Sequence, residues 1–322
     1  MNASLIQRIG IACAVALSLM IGSAANAAEA ASDFSWTEIL VPSIGPLGFV
    51  SGINDNDQVA AQNADGSKTG IFRNGIFTPL PPPPAGYSVV TAFGINNAGV
   101  IVGSAFPPSD PSHEQGFILI GSQYTFFSRP SWGNTEPRAI ANSGLITGFN
   151  YNGFGNIPNP DFSTTAGFIY DPGTNTFTDA TPPGSGTGLS ITSGMNADGR
   201  ISGDGRLPGL GRYAFVWQQG TLIKGERTLA PFLARFKIAD DGTAARGIND
   251  AGLIVGFAGR PDGTTVGFVG GDSRGFRLLV PPGGDAAGAA VFCNGINNAR
   301  KVVCGVTDAL GNLRGFVGSP DE

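Results

Sequence analysis

Histidine is almost missing from this chain: His113 is the only one in 322 residues. Cysteine is nearly as rare, with three, so a zinc site built on His and Cys has too few donors. A Ser-His-Asp mechanism would have to run through His113 in "PSDPSHEQ", and no serine stands in a nucleophile-elbow pattern. Only 13% of residues are charged, which points to few surface helices. The net charge of −5 repels nucleic acid and anionic membranes. No apolar run reaches the roughly 20 residues that span a bilayer. The one apolar run that comes close, Ile9 to Ile21, follows Arg8 and precedes Ala25-Asn26-Ala27. That order is the signature of a secretory signal and its cleavage site.

These features give a signal peptide over 1–27, a short linker over 28–33 and one domain over 34–322. The mature chain is expected to be exported, periplasmic or extracellular, with no membrane anchor. What the sequence has in abundance is glycine, 50 residues, and proline, 23, beside 41% hydrophobic residues. That is the composition of a turn-rich protein with enough apolar material for a core.

The glycines recur in register. "GINNAGVIVG" (94–103) returns as "GINDAGLIVG" (247–256), with looser copies elsewhere. Counting the first residue as position 0, anchors fall at Gly52, Gly94, Ala139, Gly194, Gly247 and Gly295. Periods of about 40–50 residues with strand-like content suggest propeller blades. Position +5 holds Asp57, Gly99, Gly144, Gly199, Gly252 and Arg300; a hairpin turn with φ > 0 there suits the glycines. Each copy is followed by an aromatic hairpin, such as "GFILIGSQYTFF" (116–127). Two hairpins per unit make four strands, and radial stacking of units covers their faces. The sixth unit stops one strand short, while "FSWTEILVPS" (34–43) matches "GFRLLVPPGG" (275–284) in kind. The expected fold is therefore an all-β six-bladed β-propeller of four-stranded blades, closed by the N-terminal strand, with an open β-solenoid as the alternative. Closure removes two sheet edges.

Residues 48–322 resemble the HAF-repeat extracellular proteins, whose units couple a "GINN-G-VVG" segment to a His-Ala-Phe strand. No unit here keeps the His, and Ala214-Phe215 alone keeps the Ala-Phe pair; Phe72, Phe117, Phe168, Phe268 and Phe316 keep the aromatic. The resemblance implies export and fold, since that family is largely without assigned activity.

Cys13 leaves with the signal. Cys293 and Cys304 stand at −2 and +9 of the last anchor, directly opposite if the turn is two residues at +3 and +4. In an oxidising compartment they are expected to form a disulfide, with two buried thiols as the alternative. The 2–3 loops and inter-blade links, on one face, are long and diverse, and that face is the expected binding surface. Candidates there are Trp132, Tyr151 and Phe154 for stacking and Arg138, Asn150, Asn152, Arg206 and Arg260 as donors. The ligand class is a glycan or a protein, the expected state a monomer, with no cofactor and no metal. Calcium at "NDND" (54–57) or "ADDG" (239–242) lacks a complete binding loop. The rival functions are a glycosidase or lyase using a pair from Asp240, Asp241, Glu136, Glu226 and Asp262, and a structural envelope or matrix role.

Overall fold

The computed structural model describes residues 34–41, 44–110, 112–152, 165–181, 190–207, 211–218, 221–224, 242–272 and 275–321. The expected signal segment and linker lie outside these residues, as do Phe154, Glu226, Asp240 and Asp241. Of Arg206 only the backbone is described.

Every regular element among the described residues is a strand, so no helix here is long and apolar enough to cross a membrane. β1 (Phe34–Glu38) and the short pair β2 (Leu40–Val41) and β3 (Gly45–Pro46) precede the repeats. The first unit is β4 (Phe49–Ile53), β5 (Val59–Gln62), β6 (Thr69–Arg73) and β7 (Ile76–Pro79). The second is β8 (Ser88–Ile95), β9 (Ile101–Phe106), β10 (Gln115–Ile120) and β11 (Gln123–Phe127). The third is β12 (Asn134–Ile140), β13 (Ile146–Tyr151), β14 (Thr165–Asp171) and β15 (Thr176–Asp179). The fourth is β16 (Ser190–Met195), β17 (Ile201–Leu207), β18 (Gly211–Gln218) and β19 (Thr221–Lys224). The fifth is β20 (Thr243–Ile248), β21 (Ile254–Gly259), β22 (Thr265–Asp272) and β23 (Gly275–Leu279). Each unit is an antiparallel meander. The last repeat gives β24 (Ala290–Ile296), β25 (Val302–Thr307) and β26 (Leu313–Pro320), touching the fifth unit through one parallel bridge, Thr265 to Ala290. β1 runs antiparallel to β26 from Phe34↔Pro320 to Glu38↔Phe316. Across that pair Arg314 donates from Nε and Nη2 to the two Glu38 oxygens, at 2.9 and 2.7 Å. The fold is a β-propeller.

The anchor segments form its inner layer. Their strands come so close that position 0 is glycine in five of the six copies, the third having Ala139. A Cβ on Gly52 would stand 2.7 Å from the Phe93 carbonyl oxygen, and one on Gly247 or Gly295 about 3 Å from the Cα of the next anchor, Gly295 or Gly52. Two residues on, asparagine works in both directions. The Oδ1 of Asn54, Asn96, Asn196, Asn249 and Asn297 accepts the backbone N–H four residues later and closes its own turn. The Nδ2 of each reaches the position +2 carbonyl of the following unit: Asn54 to Asn96, Asn96 to Ala141, Asn196 to Asn249, Asn249 to Asn297, and Asn297 back to Asn54. An outer row at position +3 repeats this from backbone N–H to side-chain oxygen, with Asn298 N–H donating to Asp55. Both rows break between the third and fourth units, where Ala141 and Ala197 replace the donor and the acceptor. There the Thr147 hydroxyl donates to Thr192, whose own hydroxyl donates to the Gly148 carbonyl.

The anchor connection is longer than the two-residue turn expected. Position +1 pairs with +7, so five residues lie between, and the +5 residue has φ > 0 in all six copies, including Asp57 and Arg300. A β-bulge at position −1 then absorbs one residue, and −2 pairs with +9 after all. Cys293 and Cys304 are thereby brought opposite, and they form the disulfide. The rings of Phe117, Phe168, Phe215, Phe268 and Phe316 lie opposite position +9 and are fully buried. A Cβ at Gly103 or Gly203 would stand 2.7 Å from the ring it faces. Phe72 sits two residues off this register, opposite Val59, and is only half-buried.

Two substitutions test the inner layer. Asn249→Ala orphans the buried Leu253 N–H and removes one of the two donors to the Asn297 carbonyl, and it is expected to cost about 2 kcal/mol in urea unfolding, whereas exposed Asn142→Ala costs under about 1. Arg300→Gly relieves a left-handed arginine and is expected to add about 1 kcal/mol, read as a higher melting temperature.

Candidate functional site

The bulge decides what faces the axis. A bulged residue bends the strand and re-aims its side chain. In successive units the residues at position −1 are Ser51, Phe93, Arg138, Ser193, Arg246 and Asn294, and all six line one cavity together with Phe49. The free space between them is about 20 Å³, room for one water or the tip of a ligand. Toward the asparagine turns the channel is narrowed by Ile53, Ile95, Ile140, Met195, Ile248 and Ile296, each 6–8% exposed. Beyond that apolar collar lies a polar mouth of the position +2 and +3 side chains.

Each neck arginine is held by acid and aromatic groups. The Arg138 guanidinium pairs with Glu136 and lies 4.3 Å above the Phe93 ring, with Phe149 at 5.4 Å. Arg246, 5% exposed, donates from Nη1 to the Ser193 hydroxyl at 3.1 Å and sits 3.8 Å from Asp204. Arg212 also donates to Asp204, at 2.6 Å, and the two guanidiniums lie 5.2 and 5.5 Å from the Phe257 ring centre.

Behind Arg138 a second acid touches Glu136. Glu114 is buried; it accepts from the Ser104 hydroxyl at 2.7 Å and the Tyr151 hydroxyl at 2.8 Å, and it shares a hydrogen bond with Glu136. Burial first, and then the charge of Glu136, push the Glu114 carboxyl well above the usual carboxylate range. Burial and the same two acids raise Tyr151. A carboxyl so placed keeps its proton to a higher pH than an ordinary glutamate. Cleavage of a glycosidic bond works instead with carboxyl groups about 5–10 Å apart, on either side of a substrate.

The sequence candidates are distributed as follows. Asn150 and Tyr151 belong to β13, not to a loop, and both are buried. Asn150 accepts from the Thr135 hydroxyl at 3.1 Å, and its amide nitrogen has no acceptor among the described residues. Trp132 is half-buried beside Arg129, and exposed Asn152 accepts the Gly133 N–H. These four, with Arg138, gather at the loop end of the third unit. Arg260 lies apart, in a turn between β21 and β22 whose Asp262 caps Thr264. His113 does not build a triad: Asp110 and Ser112 both approach its Nδ1, at 2.7 and 3.2 Å, and Ser112 donates to Asp110. Asn54 and Asp55 of "NDND" are taken up in the inner rows. Glu114, Asp204, Arg246 and the neck residues other than Arg138 were not singled out from sequence. Their signal was the position just before each anchor, which changes from unit to unit while its neighbours repeat.

No family model and no curated protein matches the chain. Solved structures do. A gluconolactonase from Xanthomonas campestris superposes with a TM-score of 0.51 and 10% identity over 89% of this chain and 90% of its own. A protein of Bacteroides fragilis described as exported gives 0.51 and 8% over 92% and 98%. At such identities the likeness is one of fold alone.

The acid pair makes stability depend on pH in a direction of its own. Above the ordinary glutamate value of 4.5 the folded chain keeps a proton that the unfolded chain has released, so stability falls as pH rises through that window. Glu114→Gln removes the loss. Melting between pH 4 and 8 is expected to show the variant above the native protein at pH 8 and level with it at pH 4; parallel profiles would refute the raised Glu114 carboxyl.

Proposed function

We propose that this chain is an exported, non-catalytic recognition protein that binds a glycan at the long-loop end of its channel. In this reading it is a six-bladed propeller closed by its N-terminal strand and related to the HAF-repeat extracellular proteins. The observation that carries the function is the convergence of the six position −1 side chains. They are the part of the inner layer that differs from unit to unit, and they combine donors with the Phe93 ring in one neck, to which Phe49 adds a second phenyl. Polar groups placed among aromatics at the end of a rigid barrel are the usual composition of a small-ligand site.

Support for the closed ring comes from three contacts between the chain's two ends: β1 on β26, Asn297 on Asn54, and Asn298 on Asp55. Export is supported by the signal-like N-terminus together with a buried disulfide, a bond that persists in oxidising compartments. A glycan suits the site better than a protein partner because the neck is narrow and recessed. A protein-binding face would offer a broad apolar patch, whereas Leu40, Ile76, Ile120 and Leu310, the large apolar side chains exposed among the described residues, come from four separate units or edges.

A glycan array probed with the mature chain tests this. At least one glycan is expected to bind, and Ser51→Leu, which fills the neck, is expected to weaken it tenfold or more. Binding that ignores the plug would move the site elsewhere, and an array without a hit would favour a structural role in the envelope or matrix.

A further inference from the structure

The apolar collar narrows the neck toward the asparagine turns, so a ligand enters it from the loop side. The two guanidiniums that line the neck are engaged, Arg138 with Glu136 and the Phe93 ring, Arg246 with Ser193 and Asp204. Two neutral polar groups there stay open. Ser51 is 9% exposed, and its hydroxyl has no hydrogen-bond partner among the described residues. Asn294, at the same position of the last repeat, donates from Nδ2 to the Val50 carbonyl at 2.8 Å. Only the amide nitrogen can donate to a carbonyl, so Oδ1 is the end of Asn294 left without a donor among the described residues. That bond to the residue before Ser51 holds the hydroxyl and the carboxamide side by side on β4 and β24. A buried hydroxyl without a partner is costly.

We propose that Ser51 and Asn294 seat the exocyclic hydroxymethyl group of a neutral hexose. This rests on the recognition reading above and names the ligand class. A hydroxyl both donates and accepts, so one ligand oxygen gives its proton to Asn294 Oδ1 and takes one from Ser51. The free space of about 20 Å³ takes a single terminal group and excludes a sugar ring. Hydroxyls attached directly to the ring cannot enter unless the ring follows, whereas a hydroxymethyl arm stands one carbon further out. Its methylene meets the phenyl rings of Phe49 and Phe93, which line the same cavity. Phe49 begins β4 and Ser51 lies two residues nearer the turn, so the sugar ring rests on the Phe49 side of the pair. An amino arm finds no carboxylate among the lining residues, and a carboxylate arm has no proton to give Asn294 Oδ1.

The test uses the mature chain with its disulfide intact and calorimetric titration of hexose-ended oligosaccharides. Each is set beside counterparts that carry a methyl, a carboxylate or nothing in place of the hydroxymethyl group. The hydroxymethyl form is expected to bind about tenfold more tightly than the methyl form, because a site that hydrogen-bonds a hydroxyl rejects the analogue lacking it. It is expected to exceed the carboxylate form and the pentose as well. Ser51→Ala removes a hydroxyl that no other residue uses, so the fold tolerates it. That variant is expected to weaken the hydroxymethyl form about tenfold and to leave the methyl form within about threefold, so that the preference disappears. Hydroxymethyl and methyl forms bound alike would overturn the seat and leave glycan recognition standing. A preference that survives Ser51→Ala would overturn it too, as would a carboxylate form bound more tightly than the hexose. No sugar bound at all would bring down both readings.

Discussion

One asparagine in each of five units, gripping two units at once, sets the geometry on which everything else rests. Its oxygen closes the turn that carries it, and its amide nitrogen reaches the carbonyl of the next turn. Both bonds are buried, so neither partner has water as an alternative, and the pair enforces register as well as cohesion. The glycine two residues earlier exists for the same reason. Where the asparagine clasps the next unit, the backbones leave no room for a methyl group between them; the third unit, which has Ala141 in place of that asparagine, carries Ala139 there. The repeated decapeptide is thus the formula for one link of an inner belt, which explains why the chain writes it again and again.

The belt also separates folding from recognition. Positions 0, +2 and +5 are spoken for by close approach, hydrogen bonding and left-handed backbone. The bulge frees position −1 from the ladder and turns it toward the axis, where nothing in the belt constrains its identity. Serine, phenylalanine, arginine and asparagine can alternate there without disturbing a strand pair. The deeper residues that hold the arginines come from elsewhere: Glu114 from the β9–β10 connection, Asp204 from β17, Arg212 from β18. The neck is therefore assembled from several units, although each unit repeats one scaffold.

Much of this scaffold could be read in advance because it is local. The spacing of anchors, the left-handed +5 residue, the aromatic hairpins and the facing cysteines follow from turn chemistry and strand alternation within about fifteen residues. The bulge could not be read, because it is one unpaired residue whose effect cancels at the next pair; Cys293 and Cys304 meet whether or not it is recognised. Missing it hid the channel lining. Strand ends caused the other errors. Asn150 and Tyr151 follow Gly148-Phe149 in a polar, aromatic run that looks like loop, yet pairing with Thr135 and Asn134 keeps them in the sheet. Glu114 was hidden by its place in a Pro- and Ser-rich segment, where a buried acid is the last thing composition suggests.

The interruption at Ala141 and Ala197 has a mechanical meaning. Joints between the other units carry amide-to-carbonyl clasps, and the two ends of the chain are further fastened by the disulfide, the Glu38–Arg314 fork and the β1–β26 zipper. The Thr147–Thr192 joint has hydroxyl bonds in place of those clasps. There the belt relies on hydroxyls, with a single proton each, where the other joints use an amide that serves two units at once. That joint borders the third unit, the one that contributes Arg138 to the neck.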